Sequence, residues 1–353
     1  MRRPTVIFII IILALLLFAL HSVSTLLSLL IEDASADAIP RSELPAIDDS
    51  SHPAQRPEII PRIIHQTYIN ESIPARWQAA QKSCIDLHTP DYEYILWTDA
   101  KSHDFIAKEY DWFLPTFEGY KHPIQRADAI RYFVLAHYGG VYIDLDDGCE
   151  RRLDPLLVYP AFVRRTIPTG ISNDVMGAVP QHPFFVRVTE SLEGANRAWV
   201  LPYVTIMAST GPLFLSVMWK KWMGEHAALE DEGEDWPGRV RVLMPDEYDN
   251  HAWSFFKTYK GDSWHGSDAK LIFWMGKNWM LLTAAGFMLA GVVGVAAWWV
   301  YTRLFGMGKR KGRNKSPSRF SWSPIAQRLP LWRRVMGGGG GKGDYELVEQ
   351  HDA

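Results

Sequence analysis

Two uncharged apolar stretches bracket a long mixed region of the chain. The first reads TVIFIIIILALLLFAL from Thr5 to Leu20 and stays apolar, after His21, to Ile31; the second reads WMLLTAAGFMLAGVVGVAAWWVY from Trp279 to Tyr301. A helix of about 20 apolar residues crosses a bilayer, so each stretch predicts a span. A cleaved signal peptide is the alternative for the first, but such apolar cores run about 7–15 residues, which favours an uncleaved anchor over residues 5–27. A buried core helix is the alternative for the second. Its length, and the aromatic residues Trp279, Trp298, Trp299 and Tyr301 at its ends, favour a span over residues 279–301.

Between the spans the composition from Glu32 to Pro57 shifts to Asp, Ser, Ala and Pro with little apolar periodicity, which predicts a stem without a fold of its own over residues 28–57. From Glu58 the pattern alternates. Ile59–His65 reads as a strand, Ile73–Leu87 as a helix, Tyr92–Trp97 as a strand and Ala100–Tyr110 as a helix. That βαβα order predicts an α/β domain with a largely parallel sheet over residues 58–272. Pro123 opens a further helix, whose apolar positions Ile124, Ala127, Ile130, Val134, Leu135 and Tyr138 recur at helical spacing until Gly139-Gly140. A strand is expected from Val141 to Asp146, with Val141, Ile143 and Leu145 on one face and Tyr142, Asp144 and Asp146 on the other.

Further on, Pro183–Glu193 reads as a helix, and Ala198–Trp219 is free of charge. Pro202 and Gly211-Pro212 interrupt the latter, which predicts a buried or membrane-skimming part of the domain rather than a third span. Residues 225–238 read as an exposed acidic loop, and residues 302–353 as a disordered basic tail.

Charge fixes an orientation. Arg2 and Arg3 precede the first span, and Arg303, Lys309, Arg310, Lys311, Arg313, Lys315 and Arg319 follow the second. Cations stay on the cytosolic side, so both termini, residues 1–4 and 302–353, are expected there and everything between the spans is expected in a lumen. A net charge of −3 gives no reason to expect a nucleic-acid partner. Cys84 and Cys149, the chain's two cysteines, would meet an oxidising compartment and could pair or remain buried thiols. Asn70-Glu71-Ser72 is a short glycosylation sequon on the same side.

The candidate chemistry is the Asp144-Leu145-Asp146 tripeptide. Two carboxylates from one short segment can hold Mn²⁺ or Mg²⁺ and leave positions open for phosphate oxygens. D-x-D alone arises often as an acidic turn. Here it follows a Gly-Gly turn and a helix carrying Asp128 and Arg131 at i,i+3, a pair that on a bare helix surface would contribute only a few tenths of a kcal/mol.

Arg126-Ala127-Asp128-Ala129-Ile130-Arg131-Tyr132 followed by Tyr138-Gly139-Gly140-Val141-Tyr142-Ile143-Asp144-Leu145-Asp146 resembles glycosyltransferase family 32. Pro61–Thr67, Trp97-Thr98-Asp99, Thr210-Gly211-Pro212 and Ser263-Trp264 resemble other motifs of that family. The resemblance implies a GT-A-like, single Rossmann-type nucleotide-sugar domain and a metal-dependent, retaining transfer. Asp146 would ligate the metal, Asp144 would contact the ribose or bind the metal through water, and His265, with His251 as an alternative, would be a third ligand. His65, Gln66, Thr67, Trp97, Arg126, Asp128, Arg131, Tyr142 and Trp264 would surround the donor, with Arg131 also stabilising the leaving group. His65 reads equally as a structural histidine and Trp97 as core, and Tyr68 stands where many relatives have Trp.

Two flanking spans are most similar to the family's fungal members that mannosylate sphingolipids. This implies GDP-mannose as donor, inositol phosphorylceramide as acceptor, a Golgi membrane and a regulatory membrane subunit. A Golgi α-mannosyltransferase of protein-linked glycans is the neighbouring alternative, and a non-catalytic membrane subunit a more distant one.

Overall fold

A computed structural model describes residues 3–32, 34–44, 56–166, 169–230, 236–248, 251–259, 261 and 266–306. The chain divides into two compact units, Met1–Trp279 and Met280–Ala353. In chain order the helices are α1 (Arg3–Leu30), α2 (Ala75–His88), α3 (Asp99–Glu109), α4 (Leu114–Gly119), α5 (Pro123–Tyr138), α6 (Pro183–Ala195), α7 (Pro202–Ser209), α8 (Pro212–Glu225), α9 (Ala227–Glu230), α10 (Ser267–Lys277) and α11 (Trp279–Gly306). The strands are β1 (Ile63–Thr67), β2 (Glu93–Trp97), β3 (Gly140–Ile143), β4 (Asp147–Cys149), β5 (Ala161–Arg165), β6 (Ile171–Ala178), β7 (Arg241–Leu243) and β8 (Phe256–Thr258).

Six strands form one sheet in the order β2-β1-β3-β6-β5-β7, all parallel except β6, and β4 pairs antiparallel with β8 beside it. The mixed α/β architecture with a mostly parallel sheet agrees with the expectation from the sequence. Side chains alternate across β3. Val141 and Ile143 join a core with Ile64, Val175 and Phe162, while Tyr142 joins the opposite core with Met176, Val163 and the α5 residues Ala129–Ala136. Helix α5 is buried on nearly all sides from Asp128 to Ala136, which is why its apolar positions run almost without a polar face.

The Gly139-Gly140 turn is required by space as well as by backbone angle. Both residues have positive φ, +67° and +91°, and a Cβ would meet the Ala178 carbonyl oxygen at 2.8 Å from Gly139 and the Ile63 carbonyl oxygen at 2.7 Å from Gly140.

Four expectations change. The strand ends at Ile143, and the Asp147 N–H donates to the Asp144 carbonyl at 3.0 Å, so Leu145 and Asp146 lie in a turn. The stem is partly folded: Ala38 bridges to Val242, Asp37 pairs with Arg239 at 3.3 Å, and Ile39 and Leu44 are buried. The 225–238 region is not simply exposed, because α9 starts it and Trp236 stacks on Trp222 and His226 at its end. The N-terminal helix bends by 52° between Ile9–His21 and Ser24–Leu30, the geometry of a broken span or a re-entrant loop rather than of one straight span. Ser24 Oγ donates back to the His21 carbonyl at 2.8 Å, a bond that bends helices, and Leu29 is buried in the first unit.

A helix, Trp279–Leu304, which lies in the second unit from Met280 on, is long and apolar enough to cross a membrane. The charge-free Ala198–Trp219 stretch forms α7 and most of α8, broken at Thr210-Gly211, with Phe214, Leu215 and Trp219 buried. Cys84 of α2 and Cys149 of β4 form a disulfide. The basic run from Lys309 to Arg319 lies outside the described residues.

Candidate functional site

A cavity of about 950 Å³ opens beyond the carboxyl ends of β1 and β3, where open α/β sheets usually take their ligands. Asp144, Asp146, Asp147 and Asp174 line it together with Arg126, Asp128, Arg131, Thr67 and Trp97. A smaller cavity of about 300 Å³, between Tyr110 and Glu190, holds none of the residues singled out from the sequence.

The inner wall is a hydrogen-bonded network centred on α5. Arg131 pairs with Asp128 at 3.1 Å and with Asp144 at 3.2 Å, and its Nη1 donates to the Asn173 carbonyl at 2.7 Å. Asp128 also accepts from Asn173 Nδ2 at 3.0 Å and from Thr210 Oγ1 at 3.1 Å. Tyr142 donates to Asp144 Oδ1 at 2.7 Å; Thr67, 3.2 Å behind, therefore donates to Tyr142. The D-x-D segment is tied to β6 as well, since the Asp144 N–H donates to the Asp174 carbonyl at 2.8 Å.

The rim differs. Asp146 lies on the turn, and its carbonyl accepts from the Tyr259 N–H at 2.7 Å. Asp147 is buried against Arg164 at 3.0 Å and accepts from Thr258 Oγ1 at 2.9 Å. Burial pushes Asp144 up to about 7 against the pull of Arg131, with Asp146 and Asp174 adding repulsion. Burial likewise raises Asp146, and raises Asp147 to about 6 against Arg164. Acid outweighs the cations placed to neutralise it.

Several expected donor contacts lie elsewhere. His65 and Gln66 are fully buried and do not line the cavity. His65 Nε2 donates to the Gly139 carbonyl at 2.9 Å while Nδ1 accepts from Trp97 Nε1 at 3.1 Å, and burial lowers its pKa to about 4. It is a neutral structural histidine. Gln66 Oε1 accepts from the Tyr94 hydroxyl at 2.7 Å. Tyr142 is fully buried and meets the cavity through its bonds to Asp144 and Thr67, which line it. Trp97 is 7 % exposed, so it is mostly core with one edge on the cavity. The guanidinium of Arg131, which lines the cavity, is shared among Asp128, Asp144 and the Asn173 carbonyl.

Trp264 and His265 lie outside the described residues. His251 stacks on Trp253 and does not line the cavity. Among the described residues no three His, Cys, Asp or Glu side chains are grouped to hold a metal ion by themselves.

Sequence reading missed Asn173, Asp174, Asp147 and Arg164. They sit on β4, β5 and β6, strands too short or too mixed to carry a clear alternation. The signal available was the acid next to the motif, Asp147, and the Asn173-Asp174 pair inside an otherwise apolar segment.

Residues 74–163 match the family described as "Glycosyltransferase sugar-binding region containing DXD motif". Mannosyl phosphorylinositol ceramide synthase SUR1 of Saccharomyces cerevisiae is 51 % identical over 78 % of this chain and 68 % of its own. CSH1, of the same name and organism, is 49 % identical over 86 % of this chain and 80 % of its own. Inositol phosphoceramide mannosyltransferase 2 of Schizosaccharomyces pombe is 49 % identical over 72 % of this chain and 73 % of its own.

Proposed function

The chain belongs to the mannosyl phosphorylinositol ceramide synthases, glycosyltransferases with a DXD sugar-binding region, and on that premise we propose that it moves mannose from GDP-mannose to inositol phosphorylceramide. The observation that carries this reading is the acid-rich cavity, where Asp144 and Asp146 meet in a chain half identical to enzymes so named.

The residues present suit a divalent cation. Asp144 and Asp146 are oxygen donors raised chiefly by burial, with Asp174 repelling both and Asp146 also repelling Asp144, so a hard cation would relieve both. Mg²⁺ and Mn²⁺ are commonly held by one or two carboxylates, with substrate phosphates completing the shell. When bound, the cation would neutralise charge on the departing diphosphate.

The chain's own groups do the rest. Arg131 and Tyr142 fix the Asp144 carboxylate, so its oxygens need no reorganisation when donor arrives. Arg126, on the cavity wall with one bond to the Tyr120 carbonyl at 3.3 Å, is the cation assigned to the diphosphate. Asp128, held by Asn173 and Thr210, presents an acceptor edge for sugar hydroxyls. The transfer is assigned as retaining, with attack from the face that the diphosphate leaves.

The compartment assigned is the Golgi lumen, with both termini cytosolic. The Cys84–Cys149 disulfide and the exposed sequon residue Asn70 support a lumenal domain.

The test uses the detergent-solubilised full chain with GDP-mannose, UDP-galactose and UDP-glucose side by side, with and without Mn²⁺. Mannose transfer to inositol phosphorylceramide from GDP-mannose, abolished by chelation, is expected. Equal use of a UDP-sugar, or transfer only to protein-linked glycans, removes the reading.

A further inference from the structure

Helix α10, of sequence SDAKLIFWMGK, is fastened to the first unit by a narrow side. Ala269 is buried, Asp268 accepts from the Tyr203 N–H at 2.6 Å, and Phe273 meets the Tyr203 ring edge-on at 5.7 Å. Away from that side, Leu271, Trp274 and Met275 are 47 %, 52 % and 44 % exposed. Lys270 and Lys277, two helical turns apart, flank Trp274 on the outward stripe. Just ahead of Tyr203, the loop before α7 presents Trp199 and Val200 at 57 % and 98 % exposure. Apolar surface of this size in water is costly and marks a partner.

The chain itself indicates the partner. α10 ends at Lys277 and the apolar helix begins at Trp279, so Asn278 alone separates them, and one residue reaches about 3.5 Å at most. Lysines beside Trp, Phe and Leu are the composition of helices that lie in the headgroup layer, apolar groups down and ammonium groups in water.

We propose that α10 and the Trp199–Val200 loop form a membrane-contact surface that rests in the lipid headgroups and sets the cavity mouth at their depth. Tyr203 joins the two functions: it is fastened to α10 and, with Ile206 and Met207 of α7, lines the cavity. A headgroup acceptor would reach the acids without leaving its leaflet. This last consequence rests on the lipid-acceptor reading, whereas the membrane contact itself does not.

Both native cysteines are paired, so a single introduced cysteine labels uniquely. Full chains carrying Trp274→Cys, Val200→Cys or, on exposed α2, Lys82→Cys are tagged with an environment-sensitive fluorophore and placed in vesicles containing headgroup-nitroxide lipid. Blue-shifted emission and about two-fold or stronger quenching are expected at positions 274 and 200 but not at 82. Labels at 274 and 200 that stay as water-exposed as that at 82 overturn the surface.

In the same vesicles, Val200→Glu combined with Trp274→Glu is expected to raise the KM for lipid acceptor about ten-fold while donor hydrolysis without acceptor stays at the unsubstituted rate. An unchanged KM overturns the placement of the mouth. If the unsubstituted chain hydrolyses GDP-mannose but mannosylates no lipid while the labels at 274 and 200 are quenched, the acceptor reading fails and the surface stands.

Discussion

The inner wall and the rim of the cavity carry the same residue type in opposite circumstances. On the wall, Asp128 and Asp144 are each held by Arg131 and by neutral donors, Asn173, Thr210 or Tyr142. On the rim, Asp147 is paired in the same way with Arg164 and Thr258, and it is Asp146 that differs, sitting on a turn anchored through its backbone carbonyl. Carboxylates held this closely by protein partners fix geometry and contribute to stability, and Asp144, which also lines the cavity, is held in place for a ligand. Asp146, whose carboxylate takes a hydrogen bond from its own backbone N–H and forms no side-chain ion pair among the described residues, keeps acceptor capacity for a ligand. The two regions therefore divide rigidity from reactivity, and substitutions should separate them.

The largest separation is expected from Asp146→Asn. Loss of a cation ligand should lower mannose transfer on the order of 10³-fold, about 4 kcal/mol of barrier, while thermal unfolding of the purified chain stays near that of the unsubstituted protein. A matching collapse of the unfolding temperature would show that the rim is structural too.

Asp128→Ala should do the reverse in kind, destabilising by about 3 kcal/mol as well as slowing transfer. Removing one member of a buried pair typically costs about 3–5 kcal/mol, and the low end applies because Arg131 keeps Asp144. Denaturant midpoints in detergent measure it, and an unchanged midpoint would place Asp128 with the rim.

The smallest effect concerns the layer behind the wall. His65 has a folded pKa of about 4, below its ordinary 6.5, so the unfolded chain binds the extra proton first as pH falls. Stability from neutral His65 is present above pH 6.5 and is lost on acidification towards pH 4. Relative to His65→Gln, the unsubstituted protein should lose about 2 kcal/mol between pH 7 and pH 5, read as a narrowing gap between the two unfolding temperatures. A gap independent of pH would mean that His65 is accessible to protons when folded.

The parts of this architecture that can be read from sequence are those with a strong period. Helix α5 begins at Pro123 and ends at Tyr138 as its spacing predicts, because its apolar positions and flanking Pro and Gly agree. The strand after it was expected to run to Asp146 and stops at Ile143, since period-two alternation continues through a turn that happens to alternate. The Asp128–Arg131 pair was visible as i,i+3 spacing. Its partners Asn173 and Thr210 come from segments 45 and 82 residues away from Asp128, and no local pattern links them. His65 is placed near the donor by the family resemblance and reads equally as a structural histidine; the Gly139 carbonyl and the Trp97 indole that occupy it are tertiary contacts that decide for the second.

The covalent tie between Cys84 and Cys149 closes a separation of 65 residues and ends two positions after Asp147, the residue that follows the D-x-D turn. Such a tie forms where thiols are oxidised and is kept open by cytosolic reductants. On the proposed lumenal topology the final clamping of the acidic turn would be timed by transport: a newly made chain would acquire it only after its domain had crossed the membrane.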